Sequence, residues 1–112
     1  MTTPQKVKGS QFERDVAKYF NERGRLTVER RYGAGNTMDK GDLNGLPGFA
    51  LECKNLGKIT LASIIDETLV EQKNAHADFG VAIIKRRGKS ASESYVVMTL
   101  EQWITLLSET NR

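Results

Sequence analysis

Apolar residues recur at helical spacing in Phe12, Val16, Tyr19 and Phe20, a pattern that predicts a helix capped by Ser10 and closed between Asn21 and Gly24. Residues 1–8, ahead of that cap, read as a flexible tail. Residues 26–31 alternate and carry β-branched side chains, which predicts a strand, and Tyr32-Gly33-Ala34-Gly35-Asn36-Thr37 then reads as a flexible loop. Two short strands come next, residues 42–45 and 48–54, hinged about Leu46-Pro47 as a hairpin. A long amphipathic helix runs from Thr60 or Leu61 to about Ala77, and β runs cover residues 79–85 and 94–98. Thr99 with Gln102 three positions on is a capping box for a last helix over residues 100–108, with Trp103, Ile104 and Leu107 on one face. The order αβββαββα predicts an α/β (α+β) domain, with a central mixed sheet flanked by helices.

Composition narrows the possibilities. A chain of 112 residues, 38% hydrophobic and 28% charged, fits one globular domain. No apolar run approaches the ~18 residues of a membrane span, and the start MTTPQKVK has no secretory core, so a cytoplasmic protein is expected. One cysteine, Cys53, and one histidine, His76, exclude an internal disulfide and a Cys/His zinc site. A metal, if bound, is therefore held by oxygen. Seventeen cations against 14 anions leave +3, which suits a polyanionic partner where the positive groups cluster.

The chemistry concentrates in Phe49-Ala50-Leu51-Glu52-Cys53-Lys54. Strand alternation sends Phe49, Leu51 and Cys53 to one face and Ala50, Glu52 and Lys54 to the other. In a hairpin symmetric about Pro47, Asp42 lies five residues before the hinge and Glu52 five after, so their carboxylates oppose each other. Opposed like charges are destabilising unless neutralised, and a divalent cation does that. Two carboxylates suit Mg²⁺, which keeps waters and phosphate oxygens among its ligands. Lys54, on the same face, can hold a phosphate or align the attacking water. The competing reading is three ordinary solvent-facing residues on the outer side of an antiparallel sheet. Two helical residues add to the set: Glu13 falls at the margin of the first apolar arc. Gln72 falls near the centre of an arc formed by Leu61, Ile64, Ile65, Thr68, Leu69 and Ala75. There it is either a satisfied core amide or part of a site. His76, near the same arc, reads as a packed or boundary histidine.

Lys8-Gly9-Ser10-Gln11-Phe12-Glu13-Arg14-Asp15-Val16, then Gly41-Asp42, then Leu51-Glu52-Cys53-Lys54-Asn55 resemble the PD-(D/E)xK nuclease superfamily. Within it the likeness is to the small Holliday junction resolvases of archaeal type, also found in phages. The resemblance covers over half the chain and implies a restriction-endonuclease-like core. It implies Glu13, Asp42 and Glu52 as acidic metal-site residues, Lys54 as the catalytic lysine, and Gln72 at a more loosely kept polar position. The main chain of Cys53 joins the metal set, and its side chain, alternating away from the site, reads as a small buried apolar group. Gly41-Asp42 stands where the superfamily name has Pro-Asp. Only Thr37 is available for the serine or threonine that such resolvases often keep in this glycine loop.

Arg86-Arg87-Gly88-Lys89-Ser90 ends like a phosphate-binding loop, but Ile83 stands where the first glycine is required, so no nucleotide cofactor is expected. These cations, with Arg30 and Arg31 around the first strand, Lys8, and Asn36, Thr37 and Lys40 in the loop after it, are candidate DNA contacts. They lack interleaved aromatics, which favours phosphate contact over base stacking. The resulting expectation is a Mg²⁺-dependent endodeoxyribonuclease, with Mn²⁺ substituting, that acts on branched double-stranded DNA as a homodimer. The alternatives are another nuclease of this superfamily, acting on single strands, flaps or restriction sites, or a non-catalytic DNA-binding accessory of recombination.

Overall fold

In the computed structural model, which describes residues 4–31 and 41–110, the chain runs through α1 (Pro4–Gly24), β1 (Glu29–Arg30), β2 (Leu43–Asn44) and β3 (Phe49–Lys54). It continues through α2 (Leu61–Asn74), β4 (Phe79–Ile84), a 3-10 turn (Ala91–Glu93), β5 (Tyr95–Val97) and α3 (Leu100–Glu109). Apart from the added 3-10 turn, this is the expected order. The five strands form one mixed sheet in the order β1-β2-β3-β4-β5. β3 and β4 are parallel, joined by α2, and the other pairs are antiparallel. A parallel pair needs such a crossover, and the crossover helix covers one face of the two strands it joins.

Both faces of β3 and β4 are consequently buried, and β4 (FGVAII) is buried at every position. On one face Phe12, Val16 and Ala17 of α1 pack with Leu43, Leu51, Cys53, Val81 and Ile83. On the other, Ile64 of α2 packs with Ala82 and Ile84. The alternation of β3 thus sends Leu51 and Cys53 toward α1, and Glu52 and Lys54 toward the face that α2 covers. The solvent-facing outer sheet considered from the sequence is not what forms, because that face has a helix over it.

Several boundaries differ from expectation for identifiable reasons. α1 begins at Pro4, well before Ser10. Proline is tolerated in a first turn, where its missing N–H has no partner to lose. Ser10 therefore lies inside the helix, and its hydroxyl accepts from Arg30 Nη2 at 3.1 Å instead of capping. β1 is shortened because the Asn21 side chain pairs with Val28 in both directions, Nδ2 to the carbonyl at 2.8 Å and Oδ1 from the amide at 2.6 Å. That pair ties Val28 to α1 before the sheet begins.

α2 stops at Asn74, with His76 in the left-handed region (φ 53°) that commonly terminates helices. Its buried residues are Ile64, Thr68 and Glu71, spaced i, i+4, i+7, whereas Leu61 is exposed. The inward face is thus rotated about one residue from the expected arc. Thr68 is tolerated in it because its hydroxyl donates to the Ile64 carbonyl at 2.7 Å. No described helix is long and apolar enough to cross a membrane.

Gln72 sits beside that face and holds α2 to the start of β4 and to α3. Its Nε2 donates to the carbonyls of Asp78 (3.0 Å) and Ala77 (3.3 Å), and its Oε1 accepts from Gln102 Nε2 (2.7 Å). Gln102 Oε1 in turn accepts from Gly80 N at 2.8 Å. Gln72→Leu strands these partners and is expected to lower stability by about 1–3 kcal/mol. Chemical denaturation measures the loss, and an unchanged midpoint would remove Gln72 from this structural role.

Candidate active site

The β2–β3 register, Leu43 opposite Leu51, places Asp42 across from Glu52 when extended by one residue. Gly41 makes the approach possible. Its φ is +104°, and a Cβ there would lie 2.9 Å from the Leu51 carbonyl oxygen. Proline, fixed near φ −65°, cannot take this conformation, so the backbone itself calls for glycine here. The Asp42 amide donates to the Leu51 carbonyl at 2.7 Å, and its carboxylate accepts from the Cys53 amide at 2.8 Å. The Cys53 side chain packs on the α1 face, where burial first, and then the charge of Asp42, pushes its thiol pKa far up.

Around Glu52 the sheet and α2 gather further acids. Glu52 is 3% exposed and Glu71 of α2 is 1% exposed, at the centre of the covered face. Burial pushes the Glu52 carboxyl up to about 8 from 4.5; hydrogen bonding with Asp42 opposes this, and the neighbouring Glu71 carboxyl adds to it. Glu52, Glu67 and Glu71 each offer a carboxylate oxygen, and these oxygens lie within 4.8 Å of one another. Around Mg²⁺, neighbouring oxygen ligands lie about 3 Å apart and opposite ones about 4.2 Å, so the three oxygens would draw closer together around a bound ion. The all-oxygen donor set fits a hard divalent cation.

Lys54 lies at the rim of this group, with Nζ 2.7 Å from Glu67 Oε2 and 4.0 Å from Glu52 Oε2. Burial pulls its pKa down, but the hydrogen bond to Glu67 and the charges of Glu52 and Glu67 outweigh it, and the net shift is upward. Glu13, half-buried on α1, accepts from Arg30 Nε at 3.0 Å. Its pKa is raised, chiefly by burial, with Arg30 opposing and Asp42 adding to the rise.

Asp42, Glu52 and Lys54 are therefore brought together, with Glu13 within electrostatic reach of Asp42. Gln72 is committed to the α3 side, and the α2 residues that reach the carboxyls are Glu71 and Glu67. Sequence reasoning missed both. The signal was present, since a helical count centred on Ile64 and Thr68 puts Glu71 inward, and Glu67 lies one turn before it. Arg30 is engaged with Glu13 and Ser10. Arg31 lines a groove of about 250 Å³ with residues 44–49 and 75–77. Asn36, Thr37 and Lys40 lie outside the described residues, as does the side chain of Lys8. Arg87 lines a second groove, of about 230 Å³, between residues 55–57 and 85–88, at the carboxyl ends of the parallel strands. Arg86 stacks over Tyr95 at 5.3 Å, and Lys89 is exposed.

Compared with family models, curated proteins and solved structures, the chain matches none.

The raised Glu52 pKa carries a sign for stability. Between 4.5 and about 8 the folded state holds a proton that the unfolded chain has lost, so stability falls as pH rises through that window. Without divalent cation, the melting temperature is expected to drop from pH 5 to about pH 8. Glu52→Gln should flatten that slope, and an equally steep slope in the variant would show that Glu52 is not its source.

Proposed function

We propose that this chain is a Mg²⁺-dependent, structure-selective endodeoxyribonuclease with a restriction-endonuclease-like core that cuts four-way DNA junctions as a homodimer. The observation that carries the reading is the convergence of Asp42, Glu52 and Lys54 of the β2–β3 hairpin with Glu67 and Glu71 of α2. Three acids at one point are unfavourable unless a cation joins them, and a lysine beside them meets a phosphate. A divalent cation supplies a Lewis acid that neutralises phosphate charge and makes water a better nucleophile. Glu52 and Glu71 would hold it, with Asp42 hydrogen-bonded to Glu52, Glu67 at the lysine side, and Glu13 within electrostatic reach of Asp42. Lys54 presents its ammonium to the scissile phosphate.

The groove holding Arg87 lies where ligands enter open parallel sheets, beyond the carboxyl ends of the strands. Lys85 shapes its rim by donating to the Lys89 carbonyl at 2.7 Å, leaving Arg87 and Lys89 for the DNA backbone. Phosphate contacts there select shape with little base readout.

A labelled immobile four-way junction, a duplex and a fork, each with and without Mg²⁺, test the reading. Cleavage should require the cation and favour the junction, and Asp42→Asn or Glu52→Gln should lower it by roughly a thousandfold with melting unchanged or raised. Equal cutting of all three substrates would mark a less selective nuclease. Tight junction binding without any cleavage would mark an accessory module.

The homodimer is supported by the surface of β5 and α3. β5 is a sheet edge, and Val96 on it and Leu100, Trp103 and Ile104 on α3 are 69%, 70%, 47% and 54% exposed. A groove of about 560 Å³ runs between β5 and α3. These four side chains expose on the order of 400 Å², about half of the ~800 Å² per partner of a standard interface. Residues 90–110 contain three glutamates and no cation, so the face suits a second copy and not DNA. Val96→Asp with Ile104→Asp is expected to give a monomer by sedimentation, still able to nick but no longer cutting both strands in one encounter. A wild-type chain that sediments as a monomer at micromolar concentration would overturn the dimer.

A further inference from the structure

Lys54 and Glu52 are two residues apart on the same side of β3, so on strand geometry alone the ammonium's nearest counter-ion is Glu52. The side chains are arranged otherwise. Lys54 Nζ makes its short contact, 2.7 Å, with Glu67 Oε2 of α2 and stands 4.0 Å from Glu52 Oε2. The Glu67 side chain is 44% exposed, whereas Glu52 and Glu71 are buried.

We propose that Glu67 is a positioning residue, which draws the Lys54 ammonium off Glu52 and so keeps the Glu52 carboxylate open to a divalent cation. The inference rests on the metal-dependent function proposed for the site. The Glu67 oxygen lies within 4.8 Å of those of Glu52 and Glu71, and its 2.7 Å contact with Lys54 assigns it as the lysine's counter-ion in place of a third ligand. An ammonium seated on Glu52 would neutralise it and occupy the oxygens a cation needs, so lysine and cation compete for one group. Glu67 removes the competition. Its charge-assisted contact is at the short end of such bonds, so the pairing is specific. The ammonium has three donors and spends one on Glu67, which leaves others to meet a phosphate. Glu67 thereby serves both halves of the site: it leaves Glu52 to the cation and holds Lys54 beside it.

The test is a double-mutant cycle read by Mn²⁺ binding, using electron paramagnetic resonance of the free ion on the full chain without DNA. Four proteins are compared at one pH: wild type, Glu67→Gln, Lys54→Met, and the double variant. Glu67→Gln should weaken Mn²⁺ binding about tenfold when Lys54 is present, and less than about threefold in the Lys54→Met background, a coupling of the size direct contacts show. Melting temperatures, expected to agree within a few degrees because Glu67 is partly exposed, confirm that all four are folded. An equal loss in both backgrounds would make Glu67 a ligand and overturn the assignment. No loss in the wild-type background would overturn it as well. Wild type that fails to bind Mn²⁺ at millimolar concentration defeats the metal reading itself, an outcome separate from either of these.

Discussion

A carboxyl group on a central strand, covered by a helix, is the constraint around which this site is built. Glu52 is 3% exposed, and an ionised carboxylate so placed is costly unless charge or hydrogen bonds compensate it. The chain sets further acids around it, Asp42 from the hairpin and Glu71 from α2, and one ammonium 4.0 Å away that pairs with Glu67. Without a cation, protonation relieves the group, hence the upward shift of Glu52 to about 8. Carboxylates kept neutral in this way are poised for a ligand that brings positive charge, since binding then exchanges a proton for a metal ion.

The opposite face makes that arrangement sustainable. Leu51 and Cys53 alternate with Glu52 and pack against Phe12, Val16 and Ala17 of α1. β4, paired with β3 in parallel over six residues, is apolar and buried throughout. Strand geometry couples the two faces: a register slip of one residue would exchange the acids with the core. The same apolar contacts that stabilise the domain therefore fix where Glu52 points. Gly41 adds a second constraint, because only a residue without a side chain lets Asp42 approach Leu51 and Cys53 so closely.

Much of this was legible from residues alone. The symmetry of residues 42–52 about Pro47 contained the hairpin register, and strand alternation contained the sidedness of Glu52 and Lys54. The α2 contribution was less legible because its inward face carries Thr68 and Glu71, both polar, between apolar residues that also occur on its flanks. Leu61 and Leu69 pull an apolar count one residue away from the buried stripe. Gln72 then looked central, although its amide closes the α2–β4 connection through Ala77, Asp78 and Gln102. Tertiary hydrogen bonds of this kind leave no periodic trace. The truncation of β1 has the same origin, since the Asn21–Val28 pairing depends on a side chain seven residues away.

The distribution of charge along the chain sorts its surfaces by partner. Sixteen of the 17 lysines and arginines fall within residues 1–89, the part of the chain that also carries the carboxyl site and its flanking grooves. Residues 90–110 carry only acids and a run of apolar side chains, on the sheet edge remote in order from β1 and β2. A polyanion is attracted to the first region and repelled by the second, whereas an apolar partner gains only from the second. In the dimer proposed above, two copies meeting at β5 and α3 would bury surface that carries acids and apolar groups but no described cation. A two-fold assembly of this kind presents two equivalent sites to a substrate that itself has paired strands. In the proposed assembly, this segregation of charge would place self-association and chemistry on different surfaces, without either competing for the other's side chains.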